Sequence, residues 1–406
     1  MKRFFVKKYI FAAIFLTVWL MFSAANFIVG ADQWYDLYED LTEVNTVLEL
    51  EDWISSVESD VNEELLGSEN FIDTYGYVQK LFDKREFNNF SFVQDDDDML
   101  YYGSTWPLET DGLEEYANRV QRMKEYVESF GAKLLVVLPP SKILTGVSEV
   151  PRTWPLNDPN ARTDKFLTLL EQRDVDAVDL RVTMRRSGRT LDELFFKTDH
   201  HWTPLAGFYA AQEIVNQIRD RFGDDWDPTG FYMNLNNYNT YTYIGCMLGS
   251  SGRNTGAIYS GLENYTLMWP KFSTDFTWTD YERDTTREGT FTESLMDSSE
   301  LEIDDLYDSS ANRLYLHEVS DRDRIVNHKN PNGPKVKVLR DSYFSTTASF
   351  LAPMCSEIDM MWTRAANEEY DMEEFVLEGD YDYLILEVYP YNLDDESFDF
   401  FQESEE

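Results

Sequence analysis

The sequence predicts an α/β fold, a mostly parallel sheet covered by helices on both faces, entered through a membrane-spanning helix. Three observations carry that expectation. Between residues 99 and 389, short apolar runs alternate with longer runs of helical apolar spacing, as in βα units whose strands are buried on both faces. The chain has 406 residues, 43% hydrophobic and 15% aromatic, enough for a large core and too apolar for wholesale disorder. Lys2, Arg3, Lys7 and Lys8 precede an uncharged run of about 23 residues that lasts until Asp32.

That run is long enough to cross ~30 Å of hydrocarbon. Basic residues before it and a strongly acidic segment after it place the N-terminus in the cytoplasm and everything else outside. Residues 1–31 therefore read as a membrane anchor, with a cleaved signal peptide ending at VGA as the alternative. The expected location is the cell membrane, single-pass, with the C-terminal domain extracytoplasmic, or secreted if the signal is removed.

Residues 32–94 read as a polar, helix-rich stem with aromatic spacing, and DDDD at 95–98 as a solvated turn. From 95 to 393 the βα rhythm runs as one domain. MLYYGS is a first short strand, LEEYANRVQRMKEYVESFG (113–131) a helix ending at a glycine, and LLVVL a buried strand. NARTDKFLTLLEQR and VDAVDL repeat the pair, and LAGFYAAQEIVNQI (205–218) is a further helix. After residue 335, VKVL, STTASFLAPM, EIDMMW and YDYLILEVY alternate strand, helix, strand, strand. Residues 223–333 are rich in Asn, Tyr, Thr, Gly and Asp and read as an insertion of loops and short antiparallel strands such as LYLHEV. Residues 394–406 read as a frayed acidic tail.

The net charge of −41 repels DNA, RNA and anionic lipid, so nucleic acid is excluded as a partner. Two cysteines, Cys246 and Cys355, make neither a disulfide framework nor a zinc site, although one bridge between them is open outside the cytoplasm.

Two segments carry chemistry. FKTDHHWTPLAGFY (196–209) holds two of the four histidines, with Asp199 before them and Trp202 after. Histidine moves protons near neutrality, and a carboxylate two residues away can fix its tautomer. The other reading is a capped helix N-terminus with a buried aromatic. KVKVLRDSYFSTTASFLAP (335–353) places Ser342 at a strand-to-helix junction, above the carboxyl edge of a sheet. A serine hydroxyl needs a base, and His201 with Asp199 would supply one. An ordinary N-cap serine is the alternative. Asp199, His200 and His201 as a metal site is weaker, because adjacent histidines point apart and no further ligand cluster has suitable spacing. No metal and no cofactor is expected.

TDHHWT followed by LRDSYF resembles the bacterial DHHW protein family, related to the SGNH-hydrolase-like alginate O-acetylation proteins of the AlgX/AlgJ type. MLYYG, LLVVLPPSK, VDAVDL, GSSGRNTGAIYSGLENYTLMWPKF and YDYLILEVYPYN agree with that pattern, so the resemblance runs from about residue 60. It implies an SGNH-type three-layer α/β/α sandwich with Ser342 as nucleophile, His201 as general base and Asp199 as its orienting carboxylate. The order Asp, His, Ser is reversed relative to ordinary SGNH esterases, as in the alginate proteins. Arg364 sits where the family's arginine near the active site is expected, and Tyr389, Tyr391 and Asn392 are candidates to complete an oxyanion hole around the Ser342 N–H. His200, Trp202 and Asp341 would support the site. His317 and His328 fall in the insertion and read as structural or exposed. The usual SGNH glycine and asparagine oxyanion donors are not evident, nor is a carbohydrate-binding module.

The resemblance implies an exported, membrane-anchored serine O-acyltransferase or esterase, O-acetyl by analogy, acting on a cell-surface or extracellular glycan. Its partners would be that glycan, an acyl donor and a multispanning membrane acyltransferase. The alternative is a non-catalytic binding or scaffold component of a polysaccharide or cell-envelope assembly machine.

Overall fold

Side-chain alternation along the central strands decides the architecture. Leu134, Val136 and Leu138 enter one core, and Leu135 and Val137 enter another. A strand that feeds two cores needs cover on both sides. A computed structural model of the chain describes residues 2–29, scattered positions between 41 and 57, and 65–402 apart from 105–107, 149, 151–152, 302–305, 309, 318 and 366–369.

Residues 1–75 and 76–406 form two units. In the first, Lys2–Val29 is a continuous helix. Its stretch Lys8–Val29 is apolar enough to cross a membrane, and 22 residues rise about 33 Å. Phe11, Phe15 and Trp19 on it are exposed. An anchor and an export signal share these properties.

Thirteen strands are described: β1 Glu86–Phe87, β2 Phe92–Gln94, β3 Leu100–Tyr102, β4 Lys133–Leu138, β5 Ala177–Asp179, β6 Tyr238–Met247, β7 Glu263–Pro270, β8 Phe276–Asp280, β9 Thr285–Gly289, β10 Arg322–Asn327, β11 Lys335–Arg340, β12 Glu357–Trp362 and β13 Tyr383–Glu387. Eight make the central sheet, in the order β5-β4-β13-β11-β12-β10-β8-β9. From β5 to β12 every pairing is parallel. From β12 to β9 every pairing is antiparallel. The sheet is therefore mixed.

Helices Leu113–Ser129, Asn160–Glu171 and Met372–Leu377 cover the Leu134 side with Val120, Phe166 and Phe375. Helices Leu180–Arg186, Pro204–Phe222 and Phe344–Leu351 cover the other with Met184, Phe208 and Phe350. The layers are α/β/α, as expected.

Four expectations change. Part of the stem lies outside the described residues; Ser68–Leu81 is helical, but β1 and β2 pair antiparallel and β2 pairs with β3. There Phe87, Phe92 and Leu100 make a small core of their own. The 223–333 segment does hold short antiparallel strands, but it is more than an insertion, because β8, β9 and β10 extend the central sheet. Phe276, Trp278 and Asp280 are buried on β8 while Thr277 and Thr279 are half-exposed, the period of a strand with one packed face. LYLHEV is not a strand. Leu316 and His317 take left-handed backbone angles (φ 58° and 59°), and His317 packs on Trp278 with ring centroids 4.7 Å apart. The tail is not frayed as far as residue 402. Phe398 and Phe400 are buried in the core under the Leu113–Ser129 helix, whose Arg119 and Arg122 donate to the Phe398 and Phe401 carbonyls. Cys246 and Cys355 are not bridged.

Candidate active site

The TDHHW segment folds into a closed loop before it reaches its partner. Phe195 pairs with Trp202 across it, and the Phe196 N–H donates to the His201 carbonyl at 3.2 Å. Thr203 then caps the following helix, its hydroxyl accepting the Ala206 N–H, with Pro204 at the first helical position. Inside the loop one oxygen of Asp199 serves both ends of His201. Oδ1 accepts the His201 backbone N–H at 2.9 Å and lies 2.6 Å from Nδ1. A carboxylate at Nδ1 requires the proton there, which leaves the Nε2 lone pair free.

That lone pair faces Ser342. Nε2 and Oγ are 2.8 Å apart, although 141 positions separate the two residues. Two ties hold the halves together. Trp202 Nε1 donates to the Tyr343 carbonyl at 3.1 Å, and the Tyr343 hydroxyl donates to the His200 carbonyl. The helices behind them touch at Gly207, where an added Cβ would come within 2.6 Å of Thr346 Cγ2. Ser342 itself sits just beyond β11, half-buried, one residue before the cap of Phe344–Leu351.

The supposed insertion closes the back of the site. The Ser250 N–H donates to Asp199 Oδ2 at 2.8 Å, and the Gly249 N–H donates to the Thr198 hydroxyl at 3.0 Å. A Cβ on Gly249 would lie 2.4 Å from Asp199 Cβ and 2.6 Å from its N, so only glycine permits this approach. Gly249→Ala is expected to destabilise the fold by about 1–3 kcal/mol and to lower turnover together with stability. Thermal unfolding and ester hydrolysis on the same sample check it; a variant with wild-type melting would contradict the close contact. Glu263, on β7, accepts the Thr198 N–H, and Lys142 Nζ donates to the Leu100 and Lys197 carbonyls at 2.9 and 3.0 Å. Burial pushes the Lys142 amine down to about 8.

Burial alone would raise the Asp199 carboxyl, but His201 beside it, with His200 and the Ser250 N–H, holds it well below the usual range. It is a carboxylate at every working pH. Burial first, and the neighbouring His201 second, push His200 down to about 3, so it is neutral. Its Nδ1 meets Ser250 Oγ at 3.0 Å and its ring lies 3.8 Å from that of His201. Ligand atoms of Asp199, His200 and His201 fall within 4.8 Å of one another. A metal there would have to displace the bonds to Ser342, Ser250 and the His201 N–H, so the donor set suits hydrogen bonding and not a cation.

The remaining candidates divide. Asp341 accepts the Tyr343 N–H at 3.0 Å and the Tyr389 N–H at 2.5 Å. Tyr389 stacks on Tyr343 with centroids 4.3 Å apart, and Asn392 Nδ2 reaches Asp341 at 3.3 Å. The Tyr391 hydroxyl donates to the Asn157 carbonyl. Tyr389 and Asn392 thus brace the turn that carries Ser342. Arg364 is engaged by Asp394 and by Ser397 Oγ, away from Asp199, His201 and Ser342 in its hydrogen bonding. His317 bonds the Ser294 carbonyl and His328 the Thr277 hydroxyl. Gly249, Ser250, Glu263, Lys142 and Glu387 were not singled out from the sequence, although each lies in a stretch that agrees with the family pattern.

The fold is an SGNH-hydrolase-like α/β fold, and Asp199, His201 and Ser342 come together beyond the end of β11. Residues 94–242 match the family model described as SGNH hydrolase-like domain, acetyltransferase AlgX. The chain is 22% identical over 129 residues to the probable alginate O-acetylase AlgJ of Pseudomonas putida, covering 32% of this chain and 33% of that relative's length. It is similar in structure to Bacillus cereus PatB1 with a sulfonyl adduct, at 17% identity and TM-score 0.60, over 77% of this chain and 97% of that one. A DHHW family protein from Eubacterium siraeum is similar over 77% of this chain and 96% of that one, at 17% identity and TM-score 0.55. The resemblance to AlgX/AlgJ-type acetyltransferases is thus found by sequence, and the likeness to the DHHW protein and to PatB1 is one of fold.

Proposed function

We propose that this chain is an exported, membrane-anchored serine O-acyltransferase or esterase that moves an acetyl group on a cell-surface or extracellular glycan. The observation that carries the reading is the 2.8 Å approach of His201 Nε2 to Ser342 Oγ, with Asp199 fixing the imidazole from behind. In the proposed cycle, His201 takes the Ser342 proton as Oγ attacks an acyl carbonyl. The tetrahedral intermediate collapses, its leaving group takes the proton from His201, and an acyl-serine remains. A sugar hydroxyl or water then gives its proton to His201 and attacks the acyl-serine, which releases Ser342. The backbone N–H of Ser342, at the head of the Phe344–Leu351 helix, is the proposed oxyanion donor.

Tyr102, Tyr389, Tyr391 and Lys142 line a small cavity beside His200, of about 10 Å³, with room for about one water. The alginate O-acetylase name of the Pseudomonas relative supports a polysaccharide acceptor. The apolar N-terminal helix and the acidic remainder support export with anchoring. A multispanning acyltransferase as acyl supplier rests on family analogy.

Intact-mass measurement after incubation with an activated acetyl ester tests the reading. One acetyl group should appear on the wild-type chain and none on Ser342→Ala. An unmodified wild-type protein that also resists a sulfonyl fluoride would favour the scaffold reading.

A further inference from the structure

A second pair of carboxyl groups lies under the nucleophile turn, and the cycle above does not use it. Glu387 ends β13 and Asp341 follows β11, the neighbouring strand. Glu387 is 0% exposed and Asp341 2%. The Asp341 N–H donates to Glu387 Oε2 at 3.0 Å, which brings the two buried carboxyl groups side by side.

Their surroundings are unequal. Asp341 receives the Tyr343 N–H on Oδ1, and the Tyr389 N–H and Asn392 amide on Oδ2. Glu387 receives one donor, and its Oε1 meets none. The cation nearest in sequence, Arg340, is ion-paired with buried Asp323 at 2.6 Å. Val137, opposite Glu387 on β4, is apolar; Arg340 still pulls Glu387 down in part, and His201, Tyr343 and Tyr389 all bear on Asp341. Two negative charges side by side in a dry interior repel strongly, so the poorer-served carboxyl keeps a proton. Burial first, then the Asp341 charge, hold Glu387 well above the ordinary glutamate range.

We propose that Glu387 is a positioning residue for Ser342: its carboxyl O–H donates to Asp341, and the single charge left on Asp341 gathers the Tyr343 and Tyr389 N–H groups that fix the nucleophile turn. The inference rests on Ser342 being the nucleophile. Loss of the shared proton places two like charges beneath the turn and moves Oγ away from His201. Turnover then falls at alkaline pH through kcat, with KM little changed.

Glu387→Gln is the informative variant, because its amide can donate to Asp341 and accept the Asp341 N–H but cannot ionise. Near-wild-type kcat is expected at neutral pH, with the alkaline limb of the kcat profile moved up by about one pH unit or more. Glu387→Ala should lower kcat on the order of a hundredfold with KM nearly unchanged. Melting temperature against pH reads the proton without any turnover. The folded Glu387 holds its proton more tightly than the unfolded one, so this contribution is whole below the ordinary glutamate range. It is lost as pH rises through the folded value. Wild type should therefore lose stability relative to Glu387→Gln as pH rises. A pH-independent difference in melting would overturn the shared proton. Coincident alkaline limbs would overturn the positioning role. An ester inert to wild type would remove the catalytic half along with the function it rests on, while the melting series would still accept or reject the proton.

Discussion

Replacing Ser342 with alanine is expected to lower kcat for a chromogenic acetyl ester by about four to six orders of magnitude and to leave the fold intact. Oγ bonds to His201 Nε2, so its removal takes away the proposed nucleophile and little else. The turn around it is held by Asp341, which keeps its bonds to the Tyr343 and Tyr389 N–H groups in the variant. Residual turnover would come from binding and from backbone donors. Steady-state hydrolysis with a thermal melt on the same preparation separates the outcomes. Turnover near the wild-type value would sink Ser342 as nucleophile, whereas a collapsed melt would mean that the side chain is needed for folding. His201→Ala should give a loss of similar size without adding to it, because residues that act as one unit are not additive.

Much of this was legible beforehand, for identifiable reasons. LLVVL and LILEV announce strands buried on both faces because they lack polar alternation, and β4 and β13 are such strands. Asp199 and His201 stand out because histidine is scarce here and a carboxylate two positions away is a local arrangement, and the hydrogen bond closes locally. Ser342 was a weaker signal on its own, since a serine before a helix is ordinary, and gained weight from the family pattern. The supports were hidden because they act at long range. Nothing in GSSG says that its backbone folds against Asp199, some 50 residues earlier. A glutamate ending the LILE run reads as a polar strand end until the neighbouring strand brings Asp341 against it. The 223–333 region misled for another reason. Its polar loops masked FTWTD, whose alternation marks an edge-ward antiparallel strand, and composition outweighed period.

The acid residue of the proposed triad offers the sharpest test of mechanism. Asp199→Asn should lower kcat by about four orders of magnitude while the protein remains folded. Asparagine keeps the shape, and its carbonyl can still accept the His201 or Ser250 N–H. Its amide nitrogen, however, can present a donor to His201 Nδ1, which then has to accept. The imidazole proton moves to Nε2 and points at Ser342 Oγ, so the base is lost at the atom where it is needed. Stability changes in a way that identifies the cause. Asp199 is held below its ordinary range in the folded state, so it contributes stability above the unfolded value near 3.9 and loses it as pH falls through the folded value. Wild type should therefore gain stability over the variant as pH rises from strongly acidic conditions toward about 5, and the gap should then stay constant. An Asp199→Asn enzyme with unchanged kcat would show that His201 finds its tautomer without Asp199, and would remove the carboxylate from the mechanism while leaving its place in the loop.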